Sequence, residues 1–166
     1  RSTMLVDFGL AFDYYHNQGM NLLVPEQRCH GLSEGKFITF GVKESKDMLR
    51  WIAYHNEVYG DFSMLLSGLS MGASTMLYLA DQNLPSNVKG IIADCGFTSP
   101  WDIISVIFKR VIHLPDTPTL VVTDLIAKLC AGFGLKEKDT RRSLLKSRLP
   151  VFLVHGTDDG FVPCEM

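Results

Sequence analysis

Ser70 stands in Gly68-Leu69-Ser70-Met71-Gly72, a match to G-x-S-x-G. In that pattern a serine sits on a sharp strand-to-helix turn, with its hydroxyl exposed for attack on a carbonyl carbon. The turn strains the serine backbone, so small neighbours are needed, and Gly68 and Gly72 are expected to let the helix pack close to the strand. At the head of a helix the serine oxygen meets unpaired N–H groups and the positive end of the helix dipole, which favour developing negative charge. The N–H of Met71 is the expected oxyanion donor. A serine hydroxyl is a poor nucleophile at neutral pH. A histidine must take its proton, and a carboxylate must orient that histidine.

The flanking residues supply the elements such a turn requires. Phe62 to Ser67 is short and apolar and follows the turn-like Tyr59-Gly60-Asp61, which reads as a buried strand. Ala73, Met76, Leu77 and Ala80 recur at i, i+3, i+4 and i+7, one face of a helix. A rival reading takes the uncharged run from Phe62 to Ala80 as a membrane span with Gly68 and Gly72 as a dimerisation pair. The run is rich in Ser and Thr, is flanked by Asp61 and Asp81 and lacks Lys/Arg asymmetry, so no membrane span is expected.

The other segments alternate. Met4, Phe8, Ala11, Phe12 and Tyr15 mark a helix closed by Gly19. Asn21 to Val24 reads as a strand, 26–35 as a turn-rich loop, and Met48, Leu49, Ile52 and Ala53 as the apolar face of the next helix. Val88 to Ala93 and Val151 to Val154 read as further buried strands. Strands apolar on both faces, alternating with helices, predict an α/β, doubly wound, mostly parallel sheet covered on both sides. In such sheets ligands bind beyond the C-terminal strand ends, where Ser70, Asp94 and the 155–163 loop all fall. Residues 100–148 interrupt the alternation as a helical insertion. Ile103, Ile104, Ile107, Phe108 and Val111 form one apolar helix face, and Val121, Val122, Leu125, Ile126 and Leu129 a second. This insertion is either extra core helices or a cap whose apolar underside takes an acyl or aromatic group. Two candidate acids, Asp158 and Asp159, lie just past the last strand.

Composition narrows the classes. The chain of 166 residues is 46% hydrophobic and 20% charged, with a formal charge of −2 and no basic block, which gives nucleic-acid binding no electrostatic support. Its 4 cysteines, Cys29, Cys95, Cys130 and Cys164, form no C-x-x-C pair. Three lie in or beside apolar segments and read as reduced core thiols, so no zinc site and a reducing, cytoplasmic setting are expected. A signal or anchor upstream of Arg1 stays open.

Four segments together resemble the α/β-hydrolase superfamily, close to bacterial serine hydrolases of the monoacylglycerol-lipase-like and prolyl-peptidase-like branch. They are Pro25 to Gly35, similar to P-D-x-R-G-H-G-x-S with Glu26 and Cys29 in place of the usual Asp and Gly; Gly68 to Gly72; Asp94 to Ser99; and His155 to Pro163, similar to H-G-x-x-D-x-x-V-P. The resemblance implies an acyl-enzyme on Ser70, Asp159 as the triad acid with Asp158 and Asp94 in reserve, and no metal or organic cofactor. The substrate it implies is a small-molecule acyl ester, thioester, amide or peptide.

In this fold the chain order is serine, acid, histidine. No histidine follows Asp159. His16, His30, His55, His113 and His155 each read more simply as surface, turn or loop-structuring residues, with His113 a distant candidate base. The strand and H-G loop that supply the second oxyanion donor in the family have no counterpart after Arg1. By the family's measure residues 1–166 are a partial domain cut at both ends, inactive alone, with exposed sheet edges that invite self-association. The alternative is a non-catalytic binding protein that keeps the fold.

Overall fold

The computed structural model describes residues 9–113 and 115–166. Residues 1–38 and 39–166 form two compact units. In the first, helix α1 spans Gly9–Asn17, and Gly19 at φ 78° ends it in the left-handed conformation that glycine adopts without cost. The expected helical positions Met4 and Phe8 lie outside the described residues. Asn21 to Val24 does not form the expected strand: no ladder partner meets it among the described residues, and backbone groups without a neighbouring strand cannot make a sheet. The 26–35 loop ties itself instead. Glu26 accepts from Leu32 N–H at 2.9 Å through its carboxylate and from Ser33 Oγ at 2.8 Å through its carbonyl. The His30 ring donates from Nδ1 to the Arg28 carbonyl at 2.9 Å, a loop-structuring role.

The second unit opens with helix α2, Val42–Tyr59. Its start is fixed by Glu44, 2% exposed, whose carboxylate accepts from the Thr39 N–H and hydroxyl and from the Gly41 N–H. These bonds satisfy backbone donors that a helix start otherwise leaves unpaired. Met48 and Ile52 are buried as their spacing predicts, whereas Ala53 is exposed.

Three parallel strands follow in spatial order β1 (Met64–Leu69), β2 (Val88–Asp94), β3 (Val151–Val154). Helix α3, Met71–Leu77, leaves the end of β1 and packs against β1 and β2. Leu66, Ile91 and Ala93 of the sheet meet Met48, Ile52, Ala73, Met76 and Leu77 in one apolar cluster. The run from Phe62 to Ala80 is thus strand, turn and helix. Among the described residues no helix is long and apolar enough to cross a membrane.

The sheet departs from the expected two-sided cover at β3. Phe152 is 65% and Leu153 59% exposed. Adjacent strand residues point to opposite faces, so β3 is open on both faces at these two positions, while Val151 at its start packs against the first cluster.

Between β2 and β3 come α4 (Pro100–Val106), running on as a π-helical segment Ile107–Ile112; α5 (Asp116–Ile126), running on as a π-helical segment Ala127–Ala131; and α6 (Thr140–Lys146). Ser99 caps α4 by accepting from Asp102 N–H at 3.1 Å, and Pro100 fits the first turn, where no N–H partner is needed. Ile103, Ile104, Leu120, Phe133, Leu135 and Val162 form a second apolar cluster. The expected face on α5 is inverted. Val121, Val122, Leu125, Ile126 and Leu129 are all more than half exposed, while Leu120, at 1%, carries the packing. All four cysteines are free; Cys29 is buried and Cys95 half-buried, but Cys130 and Cys164 are exposed rather than core thiols.

Candidate functional site

Ser70 joins β1 to α3 with φ 52° and ψ −117°, a conformation that side-chain-bearing residues rarely adopt. Non-glycine backbone in such regions costs on the order of 1–3 kcal/mol and persists where the surroundings over-determine it. Two hydrogen bonds hold it. Ser70 N–H donates to the Asp94 carbonyl at 2.8 Å, and the Ser70 carbonyl accepts from Ser74 N–H at 3.1 Å. The glycines divide the sterics unequally. A Cβ on Gly68 would lie 2.3 Å from the Gly72 carbonyl carbon and oxygen and 2.6 Å from the Ala73 nitrogen, so only glycine lets the helix come this close. A Cβ on Gly72 would meet nothing within 4 Å. The close approach expected of both glycines therefore belongs to the Gly68 side chain position alone. The Ser70 side chain makes no capping bond, and Met71 opens α3, where the first N–H groups have no partner within the helix.

Register brings the other candidates to the same edge. Leu69 pairs with Asp94, and Asp94 with Val154, so Ser70, Cys95 and His155 are the next residues on three adjacent strands. The ladder runs one step further, with Cys95 N–H donating to the Val154 carbonyl at 2.8 Å. At about 4.8 Å per strand, Ser70 and His155 stand roughly 10 Å apart along this edge. Cys95 lies between them, also left-handed at φ 46°. Burial pushes its thiol pKa up, and the Asp94 and Asp159 charges add to that rise, against the Ser70 backbone N–H, which lowers it. Ser74 clamps the edge from α3: its hydroxyl donates to the Phe97 carbonyl at 2.9 Å and accepts from Phe97 N–H at 2.8 Å.

Asp159 lies in the loop after β3. Its Oδ1 accepts from Phe161 N–H and Val162 N–H, each at 2.9 Å. The Val162 and Phe161 amides, with a smaller contribution from His155, hold its carboxyl below the ordinary carboxylate range against the effect of burial. Oδ2 lies 3.7 Å from His155 Nε2. That nitrogen donates to the Val162 carbonyl at 2.8 Å, so His155 ties the loop and its Nε2 proton is committed. Asp158 is exposed. Asp94 ends β2, next to Cys95. Among the described residues no other histidine makes an ion pair with an acid. His55 bonds Asn56 Oδ1 at 3.2 Å, His113 is an exposed left-handed residue after the α4 extension, and His16 is exposed at the end of α1.

Two features of the edge escaped the sequence reading: the place of Cys95 beside Ser70 and the clamp by Ser74. The paired left-handed turns after β1 and β2 leave a weak trace, since each follows an apolar strand, with Gly72 two residues after Ser70 and Gly96 directly after Cys95. A cavity of about 620 Å³ opens beside β3, walled by Leu77, Ala93, Leu144, Leu153, His155 and Met166 among others; neither Ser70 nor Asp159 is on its wall.

Three parallel strands in the order β1-β2-β3, with helices between them, make a small parallel α/β fold of the α/β-hydrolase type. Chains of this fold include the Pyrococcus furiosus esterase Pf2001. Its P212121 crystal form matches with a TM-score of 0.72 at 20% identity over 99% of this chain and 60% of the esterase. The C2221 form matches with a TM-score of 0.66 over 93% of this chain and 55% of the esterase. In sequence the chain is 28% identical over 146 residues to YqkD of Bacillus subtilis (strain 168), an uncharacterized protein, covering 87% of this chain and 48% of that protein. The chain therefore spans about half to three fifths of the length of these relatives. No family model matches it.

Proposed function

We propose that this chain carries the nucleophile and the acid of a serine hydrolase that cleaves carboxylic esters, or thioesters and amides, through an acyl-enzyme on Ser70. The observation that carries the reading is the Ser70 backbone, held at φ 52° and ψ −117° between β1 and α3 with Gly68 closed onto Gly72. Strain of this kind concentrates at functional sites. In the proposed reaction Ser70 Oγ attacks the carbonyl carbon. The Met71 N–H and a second donor outside these residues hold the oxyanion. A histidine outside residues 1–166, oriented by Asp159 Oδ2, takes the serine proton and returns it to the leaving alcohol or amine; water then releases the acid by the reverse route. Asp159 suits this part because its Oδ1 is occupied by loop amides while, among the described residues, Oδ2 accepts no backbone bond. Residues 100–148 act as a cap. Met71 packs in the cluster that holds Leu120 and Phe133, which supports an apolar acyl site.

The fold neighbour is described as an esterase, which makes esters the first substrates to assay. Full-length protein should hydrolyse p-nitrophenyl acetate, and Ser70→Ala should remove at least about a thousandfold of kcat/KM. Residues 1–166 alone should turn over little. Undiminished hydrolysis by Ser70→Ala would sink the proposal. A second reading, a non-catalytic binding protein, is favoured by the commitment of the His155 Nε2 proton to Val162. The two separate on whether the coding sequence after Met166 supplies a histidine in a turn after one more apolar strand. A serine peptidase is a substrate variant of the first reading, and a panel of acyl-peptides beside esters distinguishes it.

A further inference from the structure

Among the described residues of 39–166, four residues other than glycine hold a positive φ: Phe40 (52°), Ser70 (52°), Cys95 (46°) and His113 (60°). His113 closes the α4 extension, an ordinary place for that conformation. The other three gather at α3. Ser70 precedes the helix, and Cys95 is its neighbour on the strand edge. The Phe40 ring packs edge-on to Phe97, with centroids 6.4 Å apart and planes at 67°. Phe97 in turn is held through both its backbone groups by Ser74. Gly41, the next residue, lies so close to α3 that an added Cβ would meet Thr75 at 3.1 Å and Tyr78 at 2.9 Å. Met71, Ser74, Thr75 and Tyr78 make one helical stripe at i, i+3, i+4 and i+7. The turn that carries Phe40 therefore lies along the stripe that begins at Met71, and Phe40 and Met71 pack against the same apolar cluster.

The strain at Phe40 is not demanded by its turn. Val42 N–H donates to the Thr39 carbonyl at 3.1 Å, and Phe40 and Gly41 both have positive φ, as in a type I′ turn. Asn, Asp or Gly fills the first central position of that turn with less strain than a bulky side chain. Glu44 accepts from Thr39 and from Gly41, so the residues on either side of Phe40 are fixed without its help. What Phe40 adds is its ring, and that ring is only half-buried, so core packing uses part of it. We propose that Phe40 is a specificity-determining residue: its ring, seated on Phe97, walls the acyl side of the Ser70 site and restricts substrates to short acyl chains. The inference rests on the reading of Ser70 as the nucleophile. The acyl side follows from Met71, which lies beside Ser70 and shares its apolar cluster with Phe40, Leu120 and Phe133. Because Glu44 pins the turn, the ring cannot swing away with its backbone. A long acyl chain then meets aromatic carbon where acetyl or butyryl fits.

The test uses full-length protein with p-nitrophenyl acetate and p-nitrophenyl octanoate, which share a leaving group and differ in acyl length. The readout is the ratio of their kcat/KM values in one preparation, which does not depend on the fraction of protein folded. Wild type should favour the acetate by at least about tenfold. Phe40→Ala and Phe40→Asn should each raise the octanoate relative to the acetate by at least about tenfold, whereas Phe40→Leu, which keeps much of the bulk, should stay within about threefold of the wild-type ratio. In Phe40→Asn the lost ring contact and the relieved turn strain offset each other, so its melting temperature should move by no more than about 3 °C. A larger fall would assign the ring to the core and overturn the proposal. An unchanged ratio in Phe40→Ala and Phe40→Asn, with hydrolysis still abolished by Ser70→Ala, overturns the proposal and leaves the Ser70 reading standing. Hydrolysis that survives Ser70→Ala, or no hydrolysis of either ester, strikes the Ser70 reading and this proposal with it.

Discussion

Gly68 and Gly72 flank the same serine, yet the structure makes opposite predictions for them. In Gly68→Ala the new methyl would start 2.3 Å from the Gly72 carbonyl carbon, about 1.2 Å inside the ~3.5 Å at which carbon atoms rest against each other. The obstacle is helix backbone, not a side chain that can swing aside. Strand β1 is held by its ladder to β2, so α3 has to move away or tilt. Overpacking of a core ordinarily costs about 1–3 kcal/mol, and rigid partners place this change at the upper end or beyond. At about 2–4 °C per kcal/mol for a protein of this size or larger, Gly68→Ala should lower the melting temperature of the full-length protein by roughly 6–12 °C. Displacing α3 also moves Ser70 and Met71, so any Ser70-dependent turnover should fall with it. Gly72→Ala meets open space in a helix, where alanine is favoured over glycine by up to about 1 kcal/mol, so its melting temperature should hold or rise by a few degrees. Circular dichroism melts of both variants decide the matter. Equal losses, or a larger loss for Gly72→Ala, would refute the account of how the turn is packed.

Three further outcomes follow from the same geometry. Ser70→Gly relieves the left-handed strain at φ 52° and should gain about 1 kcal/mol of stability while abolishing Ser70-dependent hydrolysis; Ser70→Ala should lose hydrolysis without that gain, and paired melts and assays separate them. Glu44→Ala leaves the Thr39 and Gly41 donors buried without an acceptor and should cost about 3 kcal/mol by urea denaturation. Asp159 has a folded pKa below its unfolded value, so its stabilisation is complete above the ordinary carboxylate value of about 3.9 and is lost as pH falls through the lower folded value. The stability difference between wild type and Asp159→Asn, measured in urea from pH 6 downward, should be constant to about pH 5 and then shrink; a difference that grows toward acid would contradict the loop geometry.

Much of the positioning was legible because it rests on short-range rules. Strand, turn and helix around Ser70 follow from an apolar run, a glycine pair and a 3.6-residue period, and the chain folds that way. What resisted reading depends on partners distant in sequence. Asn21 to Val24 has the composition of a strand, but pairing requires a neighbour that composition does not specify. Periodicity revealed the α5 helix and its apolar positions, yet Leu120 is adjacent to Val121, and a helix apolar on two arcs does not declare which one turns inward. Gly72 shows the same limit. The motif requires smallness at both glycines, but only the backbone trajectory shows that the space at Gly68 is filled and the space at Gly72 is open. Cys130 and Cys164 adjoin apolar segments whose burial is incomplete, so hydrophobic neighbours did not make them core residues.

The central claim is that Ser70 becomes covalently acylated. The most direct measurement is mass spectrometry of full-length protein treated with diisopropyl fluorophosphate, which phosphorylates serines activated for acyl transfer. The account predicts a single stoichiometric adduct on the peptide that contains Ser70, lost in Ser70→Ala and strongly slowed in Asp159→Asn. An unmodified protein, or an adduct on another residue that survives Ser70→Ala, would contradict it.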